Sequence, residues 1–150
     1  MIDSQPHHLN PVAEKFLTRA GIELNRAERY RIFISLTELD LGFTRELLGE
    51  EKSARLMDEI GELTRRHIRG CDYAAFVGPT CLCLLFPETS RQGAEVAARR
   101  LSEIIQEEVS RHTEKPVDRI IPVELASYPD AAGAKTINQF LEELQHRNRN

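Results

Sequence analysis

Arg69-Gly-Cys-Asp-Tyr-Ala-Ala-Phe-Val-Gly-Pro-Thr-Cys-Leu-Cys-Leu-Leu-Phe-Pro87 is the stretch on which the fold depends. Tyr73 to Val77 and Cys81 to Phe86 are two short apolar runs, and Gly78-Pro79-Thr80 between them is turn chemistry. The stretch reads as a β-hairpin, and adjacent antiparallel strands exclude a purely parallel sheet. On the N-terminal side, Leu56, Met57, Ile60, Leu63 and Ile68 recur at helical spacing in a stretch that begins near Thr44, with Gly70 placed to stop it. Further out, Arg31 to Leu36 reads as a buried strand. Before it, Val12, Phe16, Leu17, Ala20 and Leu24 follow Asn10-Pro11, a cap and a first-turn proline.

On the C-terminal side, Thr89 with Gln92 has the form of a capping box. It opens a helix with a stripe of Ala94, Ala97, Ala98, Leu101, Ile104, Ile105 and Val109. Arg119 to Tyr128 reads as a strand, where Pro122 implies an edge or a bulge. Thr136 with Gln139 repeats the capping box ahead of Ile137, Phe140, Leu141 and Leu144, and the residues from Arg147 to Asn150 are expected to fray. The order helix, strand, helix, hairpin, helix, strand, helix predicts an α+β sandwich, helices packed on a mixed or antiparallel sheet. Residues 1–10 are expected to be extended or disordered and 11–150 to form one domain.

Composition agrees. The 150 residues are 41% hydrophobic and 29% charged, with a net charge of −4. A chain of this length buries roughly 70% of its unfolded surface and needs neither disulfide nor metal to fold. The mild acidity offers no whole-chain attraction for DNA or RNA. No apolar run approaches the roughly 20 residues that span a bilayer. The opening Met-Ile-Asp-Ser-Gln-Pro-His-His lacks the blocks of a secretory signal, and three cysteines without CxxC spacing fit a reducing cytosol, so a cytoplasmic protein is expected. Cys81 and Cys83 share a strand and read as small apolar fillers, not positioned for a disulfide. His7 and His8 have no nearby cysteine or acidic cluster to make a metal site, and His67, His112 and His146 read as surface. No P-loop, Ser-His-Asp set or zinc spacing is present, and no cofactor is expected.

The order and spacing resemble the GGDEF domain of diguanylate cyclases, enzymes that join two GTP molecules into cyclic di-GMP. The likeness runs from about Phe16 to His146. The family frame is RxxD, five residues, Gly-Gly-Asp/Glu-Glu-Phe, a short apolar strand, then proline. Here it reads Arg69-Gly-Cys-Asp72, five residues, Gly78-Pro79-Thr80-Cys81-Leu82, Cys83 to Phe86, then Pro87. Val123 to Pro129 resembles the family's Ser-Ile-Gly-Val-Ala-x-Tyr-Pro strand, and Leu24 to Tyr30 the segment before its first strand. The resemblance implies a central sheet of about five strands flanked by helices.

It also implies that synthesis is lost. Pro79 replaces the glycine that lets the backbone approach a nucleotide. Thr80 and Cys81 occupy the acidic positions, and a hydroxyl is a poor substitute for a carboxylate ligand to Mg²⁺. The family's other metal carboxylate falls on Thr37 in ungapped alignment, with Glu38 and Asp40 nearby after a small shift. Phosphoryl transfer here needs metal ions to bridge phosphates and spread charge. A non-catalytic domain, with no catalytic and no metal residues, is therefore expected.

In the family, RxxD is the inhibitory site for cyclic di-GMP. Arginine presents a planar fork to guanine O6 and N7, and aspartate accepts from the N1–H and exocyclic amine on the other edge. About 0.6 occurrences of RxxD are expected by chance in this composition, and Arg55-Leu-Met-Asp58 is a second match. Position distinguishes Arg69 and Asp72, five residues ahead of the turn. The family's auxiliary arginine, thirteen residues past the strand-ending proline, lands on Arg100, with Arg99 its neighbour. Against this stands a plainer reading, in which Arg65, Arg66 and Arg69 are cations favoured at a helix C-terminus. The resemblance thus implies a cyclic di-GMP receptor binding through Arg69, Asp72 and Arg100, with a homodimer or a regulatory protein as further partner. Degenerate relatives of this kind act in exopolysaccharide export, among them the Pel and cellulose secretion regulators. The alternative is a ligand-independent interaction module with both nucleotide sites lost.

Overall fold

The computed structural model describes residues 11–114 and 119–148. The expectations for residues 1–10, including the Asn10 cap and His7 and His8, and for Arg149 and Asn150 lie outside the described residues. The elements are α1 (Pro11–Tyr30), β1 (Ile34–Asp40), α2 (Phe43–Leu48), α3 (Glu50–Arg65), β2 (Tyr73–Phe76), β3 (Cys81–Pro87), α4 (Arg91–Thr113), β4 (Val123–Tyr128) and α5 (Ile137–Arg147).

The hairpin forms where the sequence places it, β2 against β3, with Gly78 at φ 114° in a conformation that favours glycine. All pairings are antiparallel, in the order β2-β3-β1-β4. Among the described residues the sheet therefore has four strands instead of about five. The segment after β4 carries Pro129 and Gly133 and closes a turn from Ala134 N–H to the Ala131 carbonyl, so it supplies no further strand before α5.

Central strand β1 is paired on both sides, and all of it but Asp40 is buried. Its side chains alternate between two layers. Ile34 and Leu36 join Phe16, Ala20, Leu85, Ala126, Phe140 and Leu144 beneath α1 and α5. Leu39 joins Leu56, Ile60, Leu82, Leu84, Leu101 and Ile105 beneath α3 and α4. Each fully buried leucine, isoleucine or phenylalanine contributes roughly 1.5–3 kcal/mol, so burial of these two layers is the dominant favourable term.

Several boundaries differ from the sequence reading. Helix α1 runs to Tyr30 and Arg31 turns out of it at φ 56°, so the strand begins at Ile34 and reaches Asp40. The single helix expected from Thr44 is two, separated at Gly49 with φ 82°. They are tied by Thr44 Oγ1, 2.7 Å from Ser53 Oγ. Helix α3 ends at Arg65, well short of Gly70, which leaves Arg69 on the turn that follows and not in the last helical turn. Helix α4 is capped by Ser90, which accepts from Gly93 N–H at 3.2 Å, because the Thr89 hydroxyl is engaged elsewhere. The strand expected from Arg119 starts after Pro122, at the sheet edge. The Thr136–Gln139 capping box forms in both directions. Arg147 does not fray, since two hydrogen bonds hold it to Glu38.

Candidate functional site

The turn after α3 brings Arg69 and Asp72 together. Asp72 N–H donates to the Arg69 carbonyl at 3.0 Å, and Arg69 N–H donates back to Asp72 Oδ2 at 2.8 Å. The side chains close the same loop, with Arg69 Nε on Oδ2 at 3.3 Å and Nη2 on Oδ1 at 2.9 Å. The Asp72 side chain is 4% exposed and that of Arg69 is 53% exposed, so the carboxylate is fixed while the guanidinium reaches solvent. Its bond to Asp72 raises the Arg69 pKa against the opposing effect of burial. Nη2 also donates to the Pro87 carbonyl at 2.8 Å and to Thr89 Oγ1 at 2.6 Å, which fastens this turn to the end of β3.

Arg69, Asp72 and Arg100 line one hollow of about 390 Å³, together with His67, Ile68, Phe86, Glu88, Thr89, Ser90, Gly93, Ala97 and Leu101. That volume is at the small end for a ligand pocket. Arg100 enters from α4, while Arg99, its neighbour by sequence, lines a separate groove with Ile120 and Val123. The helix phase thus selects Arg100 for the hollow. The sequence offers Thr89 only as a cap, yet its hydroxyl and the Pro87 carbonyl are what buttress Arg69. Its being one of two adjacent capping residues is the available signal. Cys71 is exposed beside the pair, with Sγ 3.8 Å from Asp72 Oδ1.

The β2–β3 turn has different chemistry. Leu41 N–H donates to the Thr80 carbonyl at 2.8 Å, which places the end of β1 against the turn. Asp40 Oδ1 accepts from Gly42 N–H at 2.9 Å, and a methyl group added at Gly42 would meet both Asp40 Oδ1 at 3.1 Å and Thr80 Oγ1 at 3.8 Å. Asp40 is therefore the carboxylate beside Thr80. Thr37 is buried in the opposite layer, its hydroxyl without a partner. Glu38 is held by Arg147 Nη1 and Nη2 at 2.8 and 2.7 Å. Burial pushes its carboxyl up, but hydrogen bonds from Arg147 and Cys81 and the charges of Arg147 and Lys135 leave it below its ordinary value. The turn itself thus offers a hydroxyl and a thiol, Thr80 and Cys81, and no carboxylate for Mg²⁺.

A larger hollow of about 620 Å³ lies beside α5, lined by Glu124, Glu142, Glu143, Gln145, His146 and Arg147. His112 bridges helices, 2.7 Å from Glu59 on α3 and 3.5 Å from Glu108 on its own helix. Among the described residues no helix is long and apolar enough to cross a membrane.

No protein-family model matches the sequence. No curated protein matches it either. Solved structures do. The diguanylate cyclase SiaD of Pseudomonas aeruginosa, in complex with its activator SiaC, matches at TM-score 0.64 and 20% identity over 91% of this chain and 55% of that one. The GGDEF domain of DgcB from Caulobacter crescentus, in complex with c-di-GMP, matches at TM-score 0.58 and 18% identity, covering 99% and 88%. PelD (158-CT) from Pseudomonas aeruginosa PAO1 matches at TM-score 0.55 and 19% identity, covering 100% and 48%. The chain thus spans about half the length of the SiaD and PelD structures. The antiparallel sheet flanked by helices is the fold of the GGDEF domains of diguanylate cyclases.

Proposed function

We propose that this chain is a degenerate GGDEF domain over residues 11–150, and a non-catalytic receptor for cyclic di-GMP. One guanine would be held between Arg69 and Asp72, with Arg100 toward the phosphate. The observation that carries the reading is the convergence of these three side chains on one hollow from two separate elements. The likeness to a GGDEF domain solved with c-di-GMP supports it. The Arg69–Asp72 pair must open to admit a base. Opening it breaks the Arg69 side-chain bonds to an Asp72 that is 4% exposed, a cost that the bidentate contact to the base, roughly 1–3 kcal/mol, has to offset. The bond from Arg69 N–H to Asp72 is a backbone one, so moving the Arg69 side chain does not itself break it.

Loss of synthesis follows from Pro79, Thr80 and Cys81, which leave the turn itself without a carboxylate. Incubation with GTP and Mg²⁺ or Mn²⁺ is expected to give no cyclic product. Calorimetric titration with cyclic di-GMP is expected to show saturable heat, lost in Arg69→Ala and Asp72→Ala and weakened about tenfold in Arg100→Ala. The closed Arg69–Asp72 pair favours a second reading, a ligand-independent interaction module. Absence of heat at millimolar cyclic di-GMP would overturn the first reading and favour the second.

A further inference from the structure

On the sheet face beneath α5, Cys81 and Cys83 of β3 stand beside Glu38 of β1, opposite Cys83 in the strand register. Their two sulfur atoms are 3.7 Å apart, and a Glu38 carboxylate oxygen lies within 4.8 Å of both. Cys83 is fully buried and Cys81 half-buried, so the cluster has one side open to entry. We propose that Cys81, Cys83 and Glu38 form a binding site for a thiophilic divalent cation of the zinc class.

The spacing carries the assignment. Two thiolates bound tetrahedrally at about 2.3 Å stand about 3.8 Å apart, close to the separation already present. A disulfide would need the sulfurs at about 2.05 Å, and the two α-carbons, about 6.7 Å apart on a strand, are near the upper limit for one. Both cysteines also pack in the core layer beneath α1 and α5, as the sequence reading of them as small apolar fillers expects. The charge also balances. Two thiolates and a carboxylate around a divalent cation leave one negative charge, and the Arg147 guanidinium sits on Glu38 to neutralise it. Binding forms two metal–sulfur bonds and releases both thiol protons to solvent. A carboxylate oxygen has a second lone pair, so Glu38 can bind the cation while keeping Arg147, which orients it. A water completes the tetrahedron. The site is independent of the nucleotide reading and stands on the opposite face of the sheet from the Arg69 hollow.

The test is titration of the reduced full chain with Co²⁺ alone, read by absorbance. One Co²⁺ per chain is expected, with the thiolate-to-cobalt charge-transfer band and the visible bands of tetrahedral cobalt. One equivalent of Zn²⁺ should remove both. Cys71→Ser should leave the band unchanged, Cys81→Ser and Cys83→Ser should abolish it, and Glu38→Gln should weaken affinity at least tenfold. Coordination by histidines or carboxylates elsewhere gives no thiolate band. If Cys83→Ser does not fold, half-buried Cys81→Ala, checked by circular dichroism, decides the question. No charge-transfer band at millimolar Co²⁺, or a band that survives in folded Cys81→Ala, would overturn the proposal.

Discussion

Asp72 and Glu38 are two nearly buried carboxylates held by half-exposed arginines. Asp72 retains a backbone donor, so Arg69→Ala is expected to cost about 1–2 kcal/mol in urea unfolding while removing ligand binding. Arg147 holds a largely buried Glu38 by both oxygens. Breaking such a pair strands a charge, a cost of about 3–5 kcal/mol when fully buried, and half-exposure of Arg147 reduces it to about 1–2 kcal/mol for Arg147→Ala. The pH dependence follows the same pair. The folded Glu38 carboxyl titrates below its ordinary value of 4.5, so its contribution is complete above that pH and is lost as pH falls through the folded value. Urea unfolding stability should therefore drop in acid below about pH 4.5, and Glu38→Gln should flatten part of that drop. Neither partner announces the other in sequence, since they are 109 residues apart and only the closing of α5 over the sheet joins them.

At the scale of elements, local chemistry is readable where one residue type decides the conformation. The Gly78-Pro79-Thr80 turn and the Thr136–Gln139 box are both where the sequence places them. Thr136→Ala should cost about 1 kcal/mol by thermal or urea unfolding, because it removes the acceptor for Gln139 N–H. Misplacements arise where two residues offer the same chemistry. Thr89 and Ser90 are both capping residues, and Thr89 is drawn off by Arg69. Gly49 marks the break between α2 and α3, yet a glycine inside an apolar helical pattern does not reveal its φ of 82°. Gly49→Ala is expected to destabilise by about 1 kcal/mol, since alanine disfavours that left-handed region. The apolar Ile32 and Phe33 draw the expected strand start too early, because Arg31 at φ 56° closes α1 there and Ile32 N–H still bonds Ala27.

At the scale of the whole molecule, the described residues form one sheet with a core on each side, and β1 and β3 contribute to both. Phe16→Ala in one layer should cost about 3–5 kcal/mol and Ile105→Ala in the other about 2–5 kcal/mol, each with one cooperative urea transition because the layers share those strands. The apolar periodicities make this architecture legible, while the residues of the hollow are legible only through the family spacing, because nothing local in the sequence joins Arg100 on α4 to the α3–β2 turn. The central claim is that this hollow grips a guanine. Its most direct test is a crystal structure of the chain grown with saturating cyclic di-GMP. A guanine seated between Arg69 and Asp72, with Arg100 turned to the phosphate, is the expected result. Crystals at saturating ligand with the Arg69–Asp72 pair still closed and the hollow empty would contradict it.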